Sequence, residues 1–206
     1  MAIPVSELQK LTPNSILELF ELQLVEGLHY ATGNPSNVPT LFRFHSGVNM
    51  NNNGNIVWQG NTYQRFPITC EGFERSGSGQ IPRPNLKMAN IGGITRSGSV
   101  ISVTDLLILC NLVTPHNDLL NAKLIRIMIT ADALDNVNFS SGTNPFGTPS
   151  ADELPREIYL INRKSTENRT LVEFELKGDL DKTNLRIPKR QVTRKDFPGV
   201  GTFINS

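Results

Sequence analysis

Ile56-Val57-Trp58-Gln59-Gly60-Asn61-Thr62-Tyr63-Gln64-Arg65-Phe66 reads as two β-prone arms around a Gly-Asn dipeptide. β-branched and aromatic residues fill both arms, and Gly60-Asn61 suits a two-residue hairpin turn. The stretch therefore predicts an antiparallel hairpin.

Working upstream, residues 49–55 hold five asparagines and a glycine, a polar loop with nothing to bury. Leu41–His45 reads as a short strand ended by Ser46-Gly47. Residues 16–25 read two ways. A helix would place Ile16, Leu19 and Phe20 on one face, whereas a strand would alternate Phe20, Leu22 and Leu24 with Glu21 and Gln23. Residues 5–11 predict a short amphipathic helix ended by Thr12-Pro13-Asn14.

Downstream, residues 68–74 predict a strand, followed by the flexible turn Ser76-Gly77-Ser78-Gly79. Residues 86–89 predict a short strand ended by Gly92-Gly93. Ser102 or Thr104 can cap a helix through Asp105-Leu106-Leu107-Ile108-Leu109-Cys110, whose apolar surface predicts burial against the sheet or a partner. Lys123–Thr130 alternates Ile125, Ile127 and Ile129 with Arg126, the pattern of a half-exposed strand. Residues 140–155 are rich in Ser, Gly, Thr and Pro and read as a loop. Residues 157–163 and 169–177 predict a second hairpin, closed by Ser165-Thr166-Glu167-Asn168. The sum is a mainly β fold, an antiparallel β-barrel or sandwich with one or two short helices. It divides into an N-terminal arm (1–15), a β-rich domain (16–191) with 85–122 as a small inserted subdomain, and a C-terminal tail (192–206).

Composition narrows the function. A chain of 206 residues, 38% hydrophobic and carrying a net charge of +1, can bury a core but has no global field for nucleic acid or an anionic membrane. No run approaches the roughly 18 apolar residues of a membrane span. The first residues lack the basic and apolar regions of a signal peptide, so synthesis and folding are expected in a cytoplasm. Cys70 and Cys110 lie in apolar surroundings and read as reduced core thiols, with a disulfide or a nucleophile as the alternatives.

Signals of chemistry are poor. His29, His45 and His116 are far apart, without zinc-ligand spacing. The Ser76–79 stretch lacks both the G-x-S-x-G elbow and the Gly-Lys-Ser/Thr ending of a phosphate loop. Asp132, Asp135, Asp152 and Glu153 lack an acid/base partner and read as solvated. Asn138-Phe139-Ser140 and Asn168-Arg169-Thr170 match the glycosylation sequon, a pattern frequent by chance. No catalytic, cofactor or metal residues are assigned. From 182 to 195 run Lys182, Arg186, Lys189, Arg190, Arg194 and Lys195, opposed only by Asp181 at the edge. This is a solvated segment or a basic surface for an acidic neighbour.

Several blocks in order resemble the minor tail protein L family of lambda-like phages. They are the hairpin from Trp58 through Pro67-Ile68, then Gly72-Phe73-Glu74, Gly77 and Gly79, and Arg83-Pro84, Leu86 and Ala89-Asn90. Leu119-Leu120-Asn121-Ala122-Lys123-Leu124-Ile125-Arg126 and Leu134-Asp135-Asn136-Val137-Asn138-Phe139 follow. Phe174-Glu175-Leu176 and Ile187-Pro188-Lys189-Arg190-Gln191 end the match, which covers residues 14–191. The resemblance implies that Leu19-Phe20-Glu21-Leu22 is the first strand of a hub-type β fold. It further implies a structural tail-tip protein, made in a bacterial host and carried in the virion, without catalysis.

The resemblance places such a protein in a homo-oligomeric, trimeric ring. Its neighbours there are tail tube and distal tail proteins and the central fibre protein. The ring surrounds a channel passed by tape-measure protein and, transiently, DNA. Longer family members carry a cysteine-rich iron–sulfur domain; no cysteine follows Cys110 here, so no cluster is expected, and any contact that domain makes is expected to be absent or supplied by another chain. Arg83, Pro84, Lys189, Arg190, Arg194 and Lys195 are the expected subunit-interface residues. The loops at 49–55, 76–84 and 140–155 are expected to order against neighbours. A carbohydrate-binding β-sandwich is the rival reading, with Trp58 expected buried in its hairpin. A hydrolase is a second rival.

Overall fold

The computed structural model describes residues 3–33, 40–47, 54–74, 82–96, 99–178, 181, 192–195 and 197–199. The elements in chain order are α1 (Val5–Leu8), β1 (Ile16–Gln23), β2 (Leu41–His45), β3 (Ile56–Trp58), β4 (Asn61–Arg65), β5 (Ile68–Glu71) and β6 (Asn85–Ala89). Then come β7 (Ile94–Arg96), β8 (Ser99–Ile101), α2 (Val103–Val113), β9 (Lys123–Thr130), β10 (Glu157–Glu167) and β11 (Leu171–Gly178).

The first hairpin forms, but its turn sits one residue earlier than the sequence reading. Trp58 pairs with Asn61, leaving Gln59-Gly60 as the two turn residues. Both have left-handed backbones, φ 50° and 71°, which is the twist a tight hairpin needs. Glutamine is an uncommon choice there. Asp135 compensates, its carboxylate accepting the Gln59 and Gly60 amides at 3.1 and 2.8 Å.

Nine strands form one sheet in the order β3-β4-β2-β1-β9-β10-β11-β6-β5. Neighbours are antiparallel except β2 and β4, which run parallel because the β3–β4 hairpin returns the chain in its original direction. The mainly β expectation holds, and the wholly antiparallel one does not. Nor does the ladder close into a barrel among the described residues. β5 at one end and β4, the strand next to the other end, are instead linked directly, because only Phe66-Pro67 separates them. Phe66 N–H donates to the His45 carbonyl at 2.9 Å, and the Pro67 carbonyl accepts from Ala89 N–H at 3.0 Å. Proline has no amide hydrogen to continue a ladder, so the strand kinks at this seam.

The sheet wraps an inner core of Phe20 and Leu22, Phe42 and Phe44, Leu86 and Met88, Tyr159 and Ile161, and Val172, Phe174 and Leu176. α2 seals it with Val103, Leu106, Leu107 and Cys110. Ser102 starts this helix, its hydroxyl accepting from Asp105 N–H while the Asp105 carboxylate accepts from Ser102 N–H.

A second cluster lies on the opposite face of β1 and β9: Leu19, Ile125, Ile127 and Ile129, covered by Ile56, Trp58, Tyr63 and Leu134. β9 is thus buried on both faces, and not half-exposed as its alternation predicts. Residues 16–25 resolve in favour of the strand, with Leu19 and Phe20 pointing into different cores. α1 is one turn long, shorter than expected. β10 continues through Glu167, so the second hairpin closes at 168–170, where the Asn168 side chain accepts from Thr170 and Leu171 N–H.

Within residues 131–155 one side chain ties the backbone of the segment together. Asn144 Nδ2 lies within 3.1 Å of the carbonyls of Ala131, Asp132 and Leu134, and Asn144 Oδ1 accepts from Phe146 N–H. The asparagine-rich 49–53 and Ser76–79 readings fall outside the described residues.

Candidate assembly surface

Of the six expected interface residues, Arg83 and Pro84 are placed on the strand side of the inner core. Pro84 is buried, and its carbonyl accepts from Leu176 N–H at 2.8 Å. The preceding arginine reaches toward β11. Arg83 lies 2.8 Å from the Asp181 carboxylate and 3.7 Å from that of Glu175, which Arg163 also contacts at 2.6 Å. Within the chain, Arg83 thus belongs to a charge cluster. With the Arg83 side chain 55% exposed, such pairs contribute about 0–1 kcal/mol and can exchange partners cheaply. Arg194 and Lys195 lie exposed in a turn stabilised by a Phe197 N–H to Thr193 carbonyl bond of 2.8 Å. Lys189 and Arg190 lie outside the described residues.

Sequence reasoning missed a half-buried arginine with two carboxylate partners. It put Arg126 on the solvent side of β9, yet its side chain points the same way as Leu124, toward the inner core. The backbone register places it between Phe20 of β1 and Glu157 of β10. Its guanidinium bonds Glu157 at 2.8 Å, pairs with Glu18, and lies 4.2 Å over the Phe73 ring. Phe73 in turn packs on Tyr159. Burial disfavours the cation, but the two carboxylates outweigh it and hold the guanidinium protonated. The group knits three strands at one mouth of the sheet. Burial also pushes the nearby Cys70 thiol up to about 12, which leaves it unreactive. Glu18, Arg126 and Glu157 share the inward parity of Phe20, Leu124 and Tyr159, and that parity was the available signal.

The remaining polar candidates are structural. His29 and His45 are buried, and burial lowers both pKa values. His29 Nδ1 accepts from Val25 N–H, and His45 Nε2 donates to the Gly54 carbonyl. The acidic residues read as solvated are in part engaged. Glu153 is buried against Arg156, and Asp135 holds the hairpin turn. Asn138, the sequon residue, is 1% exposed. Its amide accepts from Val57 N–H at 2.7 Å and donates to the Val57 carbonyl at 2.6 Å, imitating a strand neighbour for β3. Cys70 and Cys110 are not disulfide-bonded. Among the described residues no group of three or more His, Cys, Asp or Glu could hold a metal ion, and no helix is long and apolar enough to cross a membrane.

What the surface offers is contact area. α2 buries one apolar face and exposes another, with Ile108 53% and Leu112 77% exposed. Val100 and Ile91 are exposed as well, and Val137 and Phe146 are exposed on the 131–155 segment. Singly such residues are ordinary, but two on successive turns of a helix with a single charge form a patch.

The family described as phage minor tail protein L matches residues 36–198 of this chain. The tail tip protein L of Escherichia phage lambda is 29% identical over 101 residues, which is 49% of this chain and 37% of that protein. The matched stretch thus spans little more than a third of the relative's length.

Proposed function

Because the chain belongs to the phage minor tail protein L family, a family of structural components of the phage tail, we propose that it serves as a hub subunit at the tail tip. It is made in the host bacterial cytoplasm and incorporated into the virion as a trimeric ring. In this reading the ring joins tail tube and distal tail proteins to the central fibre protein. It lines or seals the channel through which tape-measure protein and then DNA leave, and its task is geometric, without catalysis.

The observation that supports this is the distribution of polar groups. The charges that are well placed chemically, Arg126 with Glu18 and Glu157, tie strands together, whereas the outward face of α2 exposes Ile108 and Leu112 with Asp105 as its one charge. Such a surface loses free energy by contact with another subunit, at about 25 cal/mol per Å² of apolar area. Arg83, Arg194 and Lys195 supply exchangeable charge for setting register.

The carbohydrate-binding alternative draws little support. Sugar sites present aromatic faces, but Trp58 and Tyr63 are each 1% exposed and Tyr159 is also buried.

Cryo-electron microscopy of particles carrying a tagged copy of this chain is the test. Tag density is expected at the distal end of the tail, with threefold repetition. Particles that assemble complete tails without the chain would overturn the assignment.

A further inference from the structure

The turn that follows β1 is tied to the turn that follows α2 through one buried histidine. Beyond Leu24 the chain reverses at residues 25–30. Leu28 N–H and His29 N–H both donate to the Val25 carbonyl, at 3.3 and 2.9 Å, and Gly27 N–H donates to the Tyr30 carbonyl at 2.8 Å. Gly27 takes the left-handed backbone that this reversal needs, φ 75°. The His29 ring closes the turn, its Nδ1 accepting from Val25 N–H at 2.9 Å.

The same ring faces the second turn. His29 is 2% exposed, and the backbone of Leu119 and Leu120 lies against it. The Asn117 side chain, also buried, donates to the Leu28 carbonyl at 2.7 Å. Leu24 and Leu119, which adjoin these contacts in sequence, both belong to the inner core. The two turns therefore cover that core together.

Only the neutral imidazole fits this arrangement. An acceptor at Nδ1 requires a lone pair there, so the ring's one proton sits on Nε2. A second proton would go to Nδ1 and set two N–H groups against each other, one on the ring and one at Val25. Among the described residues, the titratable and charged groups of the surrounding elements are engaged elsewhere or open to water. Glu26, on the same turn, is exposed and accepts from Gly33 N–H at 3.1 Å. Asp118, on the facing turn, is held by Lys164 of β10 at 3.0 Å and by Asn111 of α2 at 2.9 Å. His116 is exposed, and Tyr30 packs against the inner core. Burial accordingly keeps the imidazole pKa below its ordinary value, although the carbonyls of Leu120, Leu119 and Val25 act in the opposite sense.

We propose that His29 is an acid-released latch, through which protonation at Nδ1 frees the 25–30 turn from the 116–121 turn while the sheet stays folded. The latch is closed above about pH 6.5, where a solvated imidazole is neutral too. As the pH falls further, the open form takes up a proton that the closed form refuses. Opening then gains up to about tenfold per pH unit, until the closed ring protonates as well. A local opening of this kind costs less than unfolding the whole chain, so it is populated first. The inference concerns the chain itself and does not depend on the tail reading.

Amide exchange of the full chain, followed from pH 7 to 5 and corrected for the intrinsic pH dependence of exchange, is the test. The opening equilibrium at Val25, Leu28 and His29 should rise on the order of tenfold across this range. It should stay well above that at Ile127, in the middle of the sheet. His29→Asn keeps an acceptor near the Nδ1 position and cannot titrate, so the rise should vanish there. Turn amides that exchange in step with Ile127 at every pH would show that no separate latch opens. A rise that persists in His29→Asn would show that another group drives it. Either result overturns the proposal. Should that variant fail to fold, nitrogen NMR of the wild-type imidazole decides. Nδ1 should be unprotonated at pH 7, and its protonation should share one midpoint with the loss of Val25 protection. A protonated Nδ1 at neutral pH, or two separate midpoints, would equally overturn the latch.

Discussion

The two faces of β1 and β9 are buried by different means. The inner face is covered by side chains from the same sheet and by α2, nearly all of them apolar. The outer face is covered by a short hairpin and an irregular segment. These are fixed there by single polar side chains: Asn138 on Val57, Asp135 on Gln59 and Gly60, and Asn144 on three carbonyls. Dispersed apolar contact tolerates the loss of one partner better than a lone amide that satisfies both groups of a peptide unit. The inner layer should thus unfold as a whole, and the outer layer should detach locally.

Removing the largest contact tests the inner layer. Phe174→Ala, at a fully buried ring in β11, should lower stability by about 3–5 kcal/mol, measured by urea unfolding, with amide protection lost across all nine strands. Asn138→Ala should cost about 2 kcal/mol, the penalty for leaving buried backbone groups without partners. Its increased hydrogen exchange should be confined to β3, β4 and residues 131–155. Exchange spreading evenly over β10 and β11 would erase the distinction between layers.

The smallest effect is one of pH. Burial lowers the pKa of His29 and His45, so the unfolded chain takes up protons at about pH 6.5 while the folded chain still refuses them. Stability is therefore full above that pH and declines as the pH falls, until the folded imidazoles protonate too. The decline is at most about 1.4 kcal/mol per pH unit for each proton. His45→Phe should flatten the profile measured by thermal melting between pH 7 and 5, and an unchanged slope would remove His45 as a source.

The same contrast explains what could be read in the sequence. The inner layer is periodic, so Val172, Phe174 and Leu176 could be assigned to a core from alternation alone. The hairpin at Trp58 and the Ser102 cap were visible because local chemistry dictates them. The hairpin of the outer layer is held by contacts 75 to 92 residues apart in sequence, and no local pattern marks Asn138 or Asp135 as staples. β9 misled for a related reason: once both faces are covered, the alternation that indicates one buried side no longer identifies which side is open. Arg126 was assigned to solvent by its charge, although its neighbours along the strand pointed inward. Of the expected interface residues, Arg83 was recognisable as a surface charge, but its partner Glu175 was not, because proximity across β6 and β11 is a property of the sheet order.

Pairing β1 with β9 has a kinetic consequence. Ile16 meets Thr130 in the finished sheet, so the first strand leaves the ribosome long before its central partner exists. At about 5–20 residues per second, it waits roughly 5–20 s with Leu17 and Leu19 exposed on one side. During that interval β1 has only β2 beside it, and its other edge is open to pairing with any neighbouring chain. The chain must therefore finish nearly two-thirds of its length before both edges of its oldest strand are paired.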